Sequence, residues 1–349
     1  MPEVLTISEK HTPEIANGAS TVFQSASVLE IRNLSISLSG NGKKLVNRVS
    51  LSIRPGEMLG LAGESGSGKS LTASAILGLL PKSLNVSEGK IELRGTDLTT
   101  LSEKEMRRLR GKEIAYLFQN YQGSFTPFIK IGKQLIEALR SHYKISKPEA
   151  KTKAISWLER VKLPGERVFS SYPHQLSGGQ LQRASLAAAL MFEPLLIIAD
   201  EPTTALDVLT GEKILNLLGE LQKDMNCGVL LISHDLKHVI KRTDTMAVMY
   251  GGKIVEKGLT SIVSTNPVHP YTKLLLQARP ILSKELPEKL AAIPGEPGLA
   301  AEQGCSFALR CPKSYEECAT SPEMRSAGDS HWVACHAVDE EGGAANASS

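Results

Sequence analysis

Apolar and polar positions alternate in Val28-Leu29-Glu30-Ile31 and again in Leu34-Ser35-Ile36-Ser37-Leu38, the period of a half-buried strand. Gly40-Asn41-Gly42-Lys43 predicts a turn, Val49 to Ile53 another strand, and Arg54-Pro55-Gly56-Glu57 a second turn. The short apolar run Met58 to Ala62 enters a glycine-rich loop, beyond which the pattern predicts a helix from Lys69 to Leu80. Spacings of three and four in Ile131-Leu135-Ile136-Leu139 and Ala154-Ile155-Leu158-Val161 predict helices through roughly 130–192. A buried strand at Leu195 to Ala199 follows, then a helix (about 207–224), a strand (Val229 to Ile232), a helix (about 235–242) and a strand (Thr245 to Tyr250). Strands alternating with helices predict an α/β fold around a mainly parallel sheet. Residues 1–27 show no periodicity and read as a tail. Asn266-Pro267 opens a region rich in Pro and Gly, so the chain divides into 1–27, a domain over 28–265 with a helical insertion near 120–192, and a C-terminal region over 266–349.

Composition narrows the class. The 349 residues are 41% hydrophobic and 22% charged, ordinary for a soluble globular chain. Forty Lys+Arg against 37 Asp+Glu leave a net charge of +3, too little to argue for nucleic acid or anionic lipid. The longest apolar candidate, Leu186 to Ala199, is broken by Glu193 and Pro194, so no span of membrane length is expected. The start of the chain has no basic segment followed by an apolar one, so no secretory signal is expected either. The expectation is a cytosolic chain that serves a membrane, if at all, from its surface.

Three motifs carry chemistry. Gly63-Glu64-Ser65-Gly66-Ser67-Gly68-Lys69-Ser70 fits the phosphate-loop pattern G-x-x-x-x-G-K-[ST] and sits between an expected strand and an expected helix. Glycines let successive amides turn inward around phosphate oxygens, and the helix start adds favourable dipole potential. Lys69 would reach the β and γ phosphates and the Ser70 hydroxyl would ligate Mg²⁺. Leu195-Leu196-Ile197-Ile198-Ala199-Asp200-Glu201 is an apolar strand ending in two acids. Asp200 would anchor Mg²⁺, and Glu201, one residue on, would orient and deprotonate an attacking water. Leu176-Ser177-Gly178-Gly179-Gln180 opens a helical stretch, and a helix start led by Ser177 is an anion site.

In this order and spacing the three motifs resemble the ATP-binding-cassette (ABC) ATPases over about residues 28–262. The resemblance implies a P-loop NTPase cassette that binds ATP and Mg²⁺. Gln119 in Tyr116-Leu117-Phe118-Gln119 is similar to the family's Q-loop glutamine, Ala205-Leu206-Asp207 to its D-loop, and Ser233-His234-Asp235 to its switch histidine. By resemblance Gln119 senses Mg²⁺ and the water, and His234 bonds the γ-phosphate. Ser177, Gly178, Gly179 and Gln180 would contact ATP held by a second ATPase subunit in a head-to-tail dimer; a copy and a paralogue both stay open. The family usually stacks adenine on an aromatic residue upstream of the phosphate loop; here that region reads Leu34 to Leu38 and offers none.

Further stretches resemble the oligopeptide/dipeptide importer branch, which includes nickel uptake systems: Ser124-Phe125-Thr126-Pro127, Ser171-Tyr172-Pro173-His174-Gln175, His269-Pro270-Tyr271-Thr272-Lys273 and Gly304-Cys305-Ser306-Phe307 with Arg310-Cys311-Pro312. Asn120-Tyr121-Gln122-Gly123 stands where the branch more often begins with Asp-Pro. The branch implies two transmembrane permease subunits, an extracytoplasmic solute-binding protein, peptide cargo, and a peripheral place on the cytoplasmic face of the inner membrane, and it favours a paralogue as the second ATPase. Four of five cysteines, Cys305, Cys311, Cys318 and Cys335, crowd into the C-terminal region, spaced C-x5-C-x6-C-x16-C rather than in the tight pairs of common zinc sites. Four thiolates suit an iron–sulfur cluster, which the branch implies as [4Fe–4S]; zinc with His331 or His336, and unliganded thiols, stay open. Cys227 reads as structural. Two other classes compete. A soluble ABC ATPase of DNA repair or translation usually carries coiled-coil insertions or two cassettes, and a regulator without turnover would lose one of Glu201, His234 and Gln119.

Overall fold

The computed structural model describes residues 27–118, 121–204, 207–278 and 293–337. Strands β1 (Leu29–Leu38), β2 (Lys44–Ile53), β4 (Leu84–Leu93) and β5 (Thr96–Asp97) form an antiparallel sheet in the order β2-β1-β4-β5, while β3 (Met58–Ala62) leaves it for the second sheet. The two alternating stretches near residue 33 are one strand. Asn33 bridges them at φ 51, Arg48 on β2 also takes φ 51, and the β1–β2 register shifts between Ile31 and Leu34. Such a bulge keeps both halves facing the core, at the cost of two left-handed residues, a conformation Asn tolerates well.

The second sheet runs β11-β12-β10-β9-β3-β8-β7-β6. Its centre is parallel: β6 (Ile114–Leu117), β7 (Leu196–Asp200), β8 (Gly228–Ser233), β3 and β9 (Thr245–Tyr250). β10 (Lys253–Leu259) turns back on β9, and β11 (Arg325–Ser326) and β12 (His331–Val333) from the C-terminal region add to β10, all antiparallel. β3, β7 and β8 are buried at every position, as parallel strands covered on both faces must be.

Helix α1 (Lys69–Ile76) follows β3 and stops four residues before Leu80, because Gly78 takes φ +61 and turns the chain away. After α2 (Glu103–Leu109), helices α3 (Ile131–His142), α4 (Lys147–Arg160), α5 (Gly165–Ser170) and α6 (Gly178–Leu190) pack on one another. Their apolar faces, with Leu135, Leu139, Trp157, Leu158 and Leu190, merge with one face of the parallel sheet through Ile197, Val229 and Leu231. The opposite face, through Ile198, Leu230 and Ile232, packs with α1 and the antiparallel sheet. A third cluster joins Val248, Tyr250 and Val255 to Tyr271 of α10 (Pro270–Gln277) and to Phe307, and also takes in Leu236 and Val239 of α8 (Leu236–Arg242) and Val263 of α9 (Thr260–Thr265). Helix α7 (Val208–Met225) runs between β7 and β8. The C-terminal region therefore shares a core with the cassette sheet.

Candidate functional site

The site forms where β3, β7 and β8, three neighbours in the sheet, end side by side. Loop 63–70 leaves β3 with Gly63 at φ 150; a Cβ there would lie 2.2 Å from the Met249 carbonyl oxygen, so only glycine lets the loop pass so close. Gly68 caps α1 without a side-chain hydrogen bond, which leaves the first amides of that helix free of a capping side chain. Lys69 is buried, and its Nζ donates to the carbonyl oxygens of Gly63 at 2.8 Å and Glu64 at 2.9 Å. Burial lowers its pKa, while the charges of Glu201, Asp200 and Glu64 oppose that shift. The loop thus closes on its own lysine, which can exchange two backbone oxygens for phosphate.

Ser70 Oγ donates to Asp200 Oδ1 at 3.3 Å, so the two expected Mg²⁺ ligands stand together across 130 residues of chain. Tyr116 on β6 donates to Asp200 Oδ2 at 2.9 Å; burial, with the Asp200 charge, holds that phenol well above its usual range and protonated. Sequence reading did not single out Tyr116, and only its position one strand over from Asp200 reveals it. These residues suit Mg²⁺: a hydroxyl and a buried carboxylate on rigid elements are hard oxygen donors.

Glu201 sits just past β7 at φ 47, a left-handed conformation unusual outside glycine, and its amide donates to Ile232 at 3.0 Å. Its carboxylate meets His234 Nδ1 at 2.8 Å and accepts from Thr204 Oγ1 at 3.0 Å. Strained backbone of this kind persists where its surroundings enforce it, and here it aims a carboxylate at the histidine after β8. The buried Gln182 of α6 donates through Nε2 to Pro202 carbonyl oxygen, tying the helix behind Ser177 to the Glu201 turn.

Residues 177–180 form a capping box. Gln180 N donates to Ser177 Oγ at 3.3 Å and Ser177 N donates to Gln180 Oε1 at 3.0 Å, after which Gly178 and Gly179 begin α6. The hydrogen bonds described for this tip stay within α6 and its cap. Asp207 caps α7, accepting from Thr210 N at 2.9 Å. Gln119, and Ala205 and Leu206 before Asp207, lie outside the described residues.

All five cysteines are free thiols. Cys335 lies within electrostatic reach of Cys305, Cys311 and Cys318, and burial pushes its thiol up to about 11. Among the described residues, however, no three His, Cys, Asp or Glu side chains stand close enough to hold a metal ion, so the structure gives the expected cluster no direct support. The histidines offered as zinc ligands are committed elsewhere: His331 Nε2 meets the buried Glu256 at 2.7 Å, and His336 Nε2 meets the Thr320 carbonyl at 3.0 Å. No helix among the described residues is long and apolar enough to cross a membrane.

Residues 46–204 match the ABC transporter family, and residues 255–318 match the oligopeptide/dipeptide transporter C-terminal region. The oligopeptide transport ATP-binding protein OppD of Bacillus subtilis is 42% identical over 313 residues, 88% of this chain and 87% of the relative. The dipeptide transport ATP-binding protein DppD of the same species is 42% identical over 321 residues, covering 90% and 95%. OppD of Escherichia coli is 39% identical over 323 residues, covering 91% and 95%. Among solved structures, a dimeric post-hydrolysis state of the ATP-binding cassette MJ0796 bound to ADP and Pi aligns with TM-score 0.58 and 28% identity, over 66% of this chain and 98% of that one. With a matching family model and relatives 39–42% identical over 87–95% of their own length, the chain belongs to the ATP-binding ATPase subunits of ABC transporters.

Proposed function

We propose that this chain hydrolyses ATP to drive peptide uptake through two permease subunits, working as one of two cassettes clasped head to tail. The observation that carries the reading is the convergence of Ser70 with Asp200 and of Glu201 with His234 at the ends of adjoining strands beside the phosphate loop. Loop 63–70 binds the phosphates, with Lys69 neutralising them, and Ser70 and Asp200 hold Mg²⁺, which when bound screens the phosphate charge. Glu201 takes the proton of a water that attacks the γ-phosphorus; ADP leaves, and inorganic phosphate carries the new oxygen. His234 steadies the carboxylate and the γ-phosphate, and Gln119 reports on water and metal. Residues 177–180, with Asp207, serve the nucleotide of the partner cassette, proposed to be a paralogue.

Phe118 and Phe128, 55% and 86% exposed, flank the segment after β6 and offer apolar anchors for a permease loop on the cytoplasmic face of the inner membrane. Peptide cargo rests on the printed functions of the relatives and on the match at 255–318. Co-purification with the permeases and the partner ATPase, reconstitution in vesicles, and ATPase assay with the solute-binding protein test it. Stimulation by di- or oligopeptides supports the reading; stimulation by nickel alone, or no associated permease, refutes it. An iron–sulfur cluster stays in the proposal only on the number of cysteines in the C-terminal region and on the electrostatic reach of Cys335 to Cys305, Cys311 and Cys318; as placed, their side chains do not form a metal-holding group. No step of hydrolysis passes through it. A brown anaerobic preparation whose visible absorbance disappears in Cys311→Ser supports the cluster, and colourless, iron-free protein rejects it.

A further inference from the structure

An acid on a loop that receives a polyphosphate is an electrostatic contradiction. Glu64 is the second residue of the phosphate loop, and its charge is felt at Lys69, the cation of the same loop. A carboxylate free to swing toward bound phosphate repels it. In this structure it is not free. Arg310, from the C-terminal region 246 residues away, grips it with both arms of the guanidinium: Nη1 to Oε2 at 2.6 Å and Nη2 to Oε1 at 3.1 Å. The Arg310 side chain is 1% exposed and that of Glu64 16%.

Arg310 is itself fixed. Its Nε donates to the Pro294 carbonyl oxygen, Nη1 reaches the Tyr250 hydroxyl at 3.3 Å, and the guanidinium lies 5.7 Å from the centre of the Tyr250 ring. The Glu64 backbone is held from the same side, its amide donating to the Tyr271 hydroxyl at 2.9 Å. Arginine keeps its charge under any ordinary condition, and its planar fork matches a carboxylate at two points, so the carboxylate is both neutralised and aimed.

We propose that Arg310 is a positioning residue for nucleotide: reaching in from the C-terminal region, it neutralises Glu64 and holds it aside so that the phosphate loop can accept a polyphosphate. The inference rests on reading residues 63–70 as that loop. It makes the C-terminal region part of the nucleotide site, with nucleotide affinity, rather than the chemical step, as the quantity it governs.

The experiment is calorimetric binding of Mg·ADP to the full chain, which needs neither turnover nor a second cassette. Arg310→Ala should weaken binding about tenfold, the scale of one uncompensated charge near phosphate at an effective dielectric of about 20. Adding Glu64→Gln to Arg310→Ala removes the exposed charge and should bring affinity back to within about threefold of the parent chain. A bridge that only braced the fold would show no such rescue. Wild-type affinity in Arg310→Ala, or a double variant no better than the single one, overturns the proposal. If Arg310→Ala does not fold, Arg310→Gln, which keeps much of the side-chain bulk and loses the charge, is read in the same way with and without Glu64→Gln. Failure of the unaltered chain to bind Mg·ADP at all would instead bring down the phosphate-loop assignment beneath it.

Discussion

At the scale of single residues, the site works by pairing groups that would otherwise be unstable or misdirected. Glu201 occupies a left-handed backbone position and meets His234 at 2.8 Å, and its proposed role in proton abstraction can be tested apart from binding. Glu201→Gln keeps the shape and loses the base: Mg·ATP binding should be retained while turnover falls at least about a hundredfold, measured as phosphate release by the reconstituted transporter. Tyr116 is a different kind of residue. Its hydroxyl fixes Asp200, and Tyr116→Phe removes one hydrogen bond to a buried carboxylate without changing shape. The expected result is about a fivefold higher half-saturating Mg²⁺ concentration, with kcat at saturating metal little changed, read from a magnesium titration.

At the scale of elements, α4 and α6 share with α2 one solution to the problem of unpaired amides at their start. Ser146 with Glu149 caps α4, and Ser177 with Gln180 caps α6. Either serine replaced by alanine should cost about 1 kcal/mol in chemical denaturation. Only Ser177→Ala should also depress turnover beyond that loss, since only this tip is proposed to touch a second chain's nucleotide; equal activity in the two variants would confine Ser177 to capping. The elements also show what could be read in advance. β3 over Met58 to Ala62 and β9 over Thr245 to Tyr250 announce themselves because they are apolar runs, buried at every position but Thr245 and bounded by turns. β4 does not, because Asn85, Ser87, Glu88 and Lys90 face solvent, Leu84 and Val86 are partly buried, and only Ile91 and Leu93 are buried apolar positions. The loop and strand-end residues of the site are equally legible, since backbone-driven phosphate binding leaves a fixed spacing. Tyr116 and Arg310 leave none: each acts through a partner brought near only by sheet order or by the return of the chain.

At the scale of the whole molecule, the cassette and the C-terminal region are joined by buried polar groups as well as apolar ones. Glu256 on β10 is fully buried and accepts from the amides of Val268 at 2.7 Å and His269 at 3.1 Å, besides meeting His331. His269 caps α10, its Nδ1 accepting from Tyr271 N at 3.1 Å, which requires a neutral ring. Burial, opposed by the Glu256 charge, pushes its pKa down to about 4. An unfolded histidine titrates near 6.5, so between those values the unfolded chain takes up a proton that the folded chain refuses. The stability this contributes is complete above about pH 6.5 and disappears as pH falls toward 4, on the order of 3 kcal/mol. Melting temperature should therefore drop across that window, and His269→Asn, which keeps a capping oxygen but does not titrate, should flatten the decline.

Strand β12 completes the sheet by lying against β10, and Arg310 reaches Glu64 only once the chain has run far past the cassette. During synthesis the amino-terminal parts emerge and begin to fold first. The phosphate loop is consequently made early and finished late: a nascent chain halted before residue 310 carries the nucleotide motif with its acid uncovered. On the proposal above, such a halted chain would hold nucleotide about tenfold more weakly than the finished one, so full affinity would arrive only with the C-terminal region.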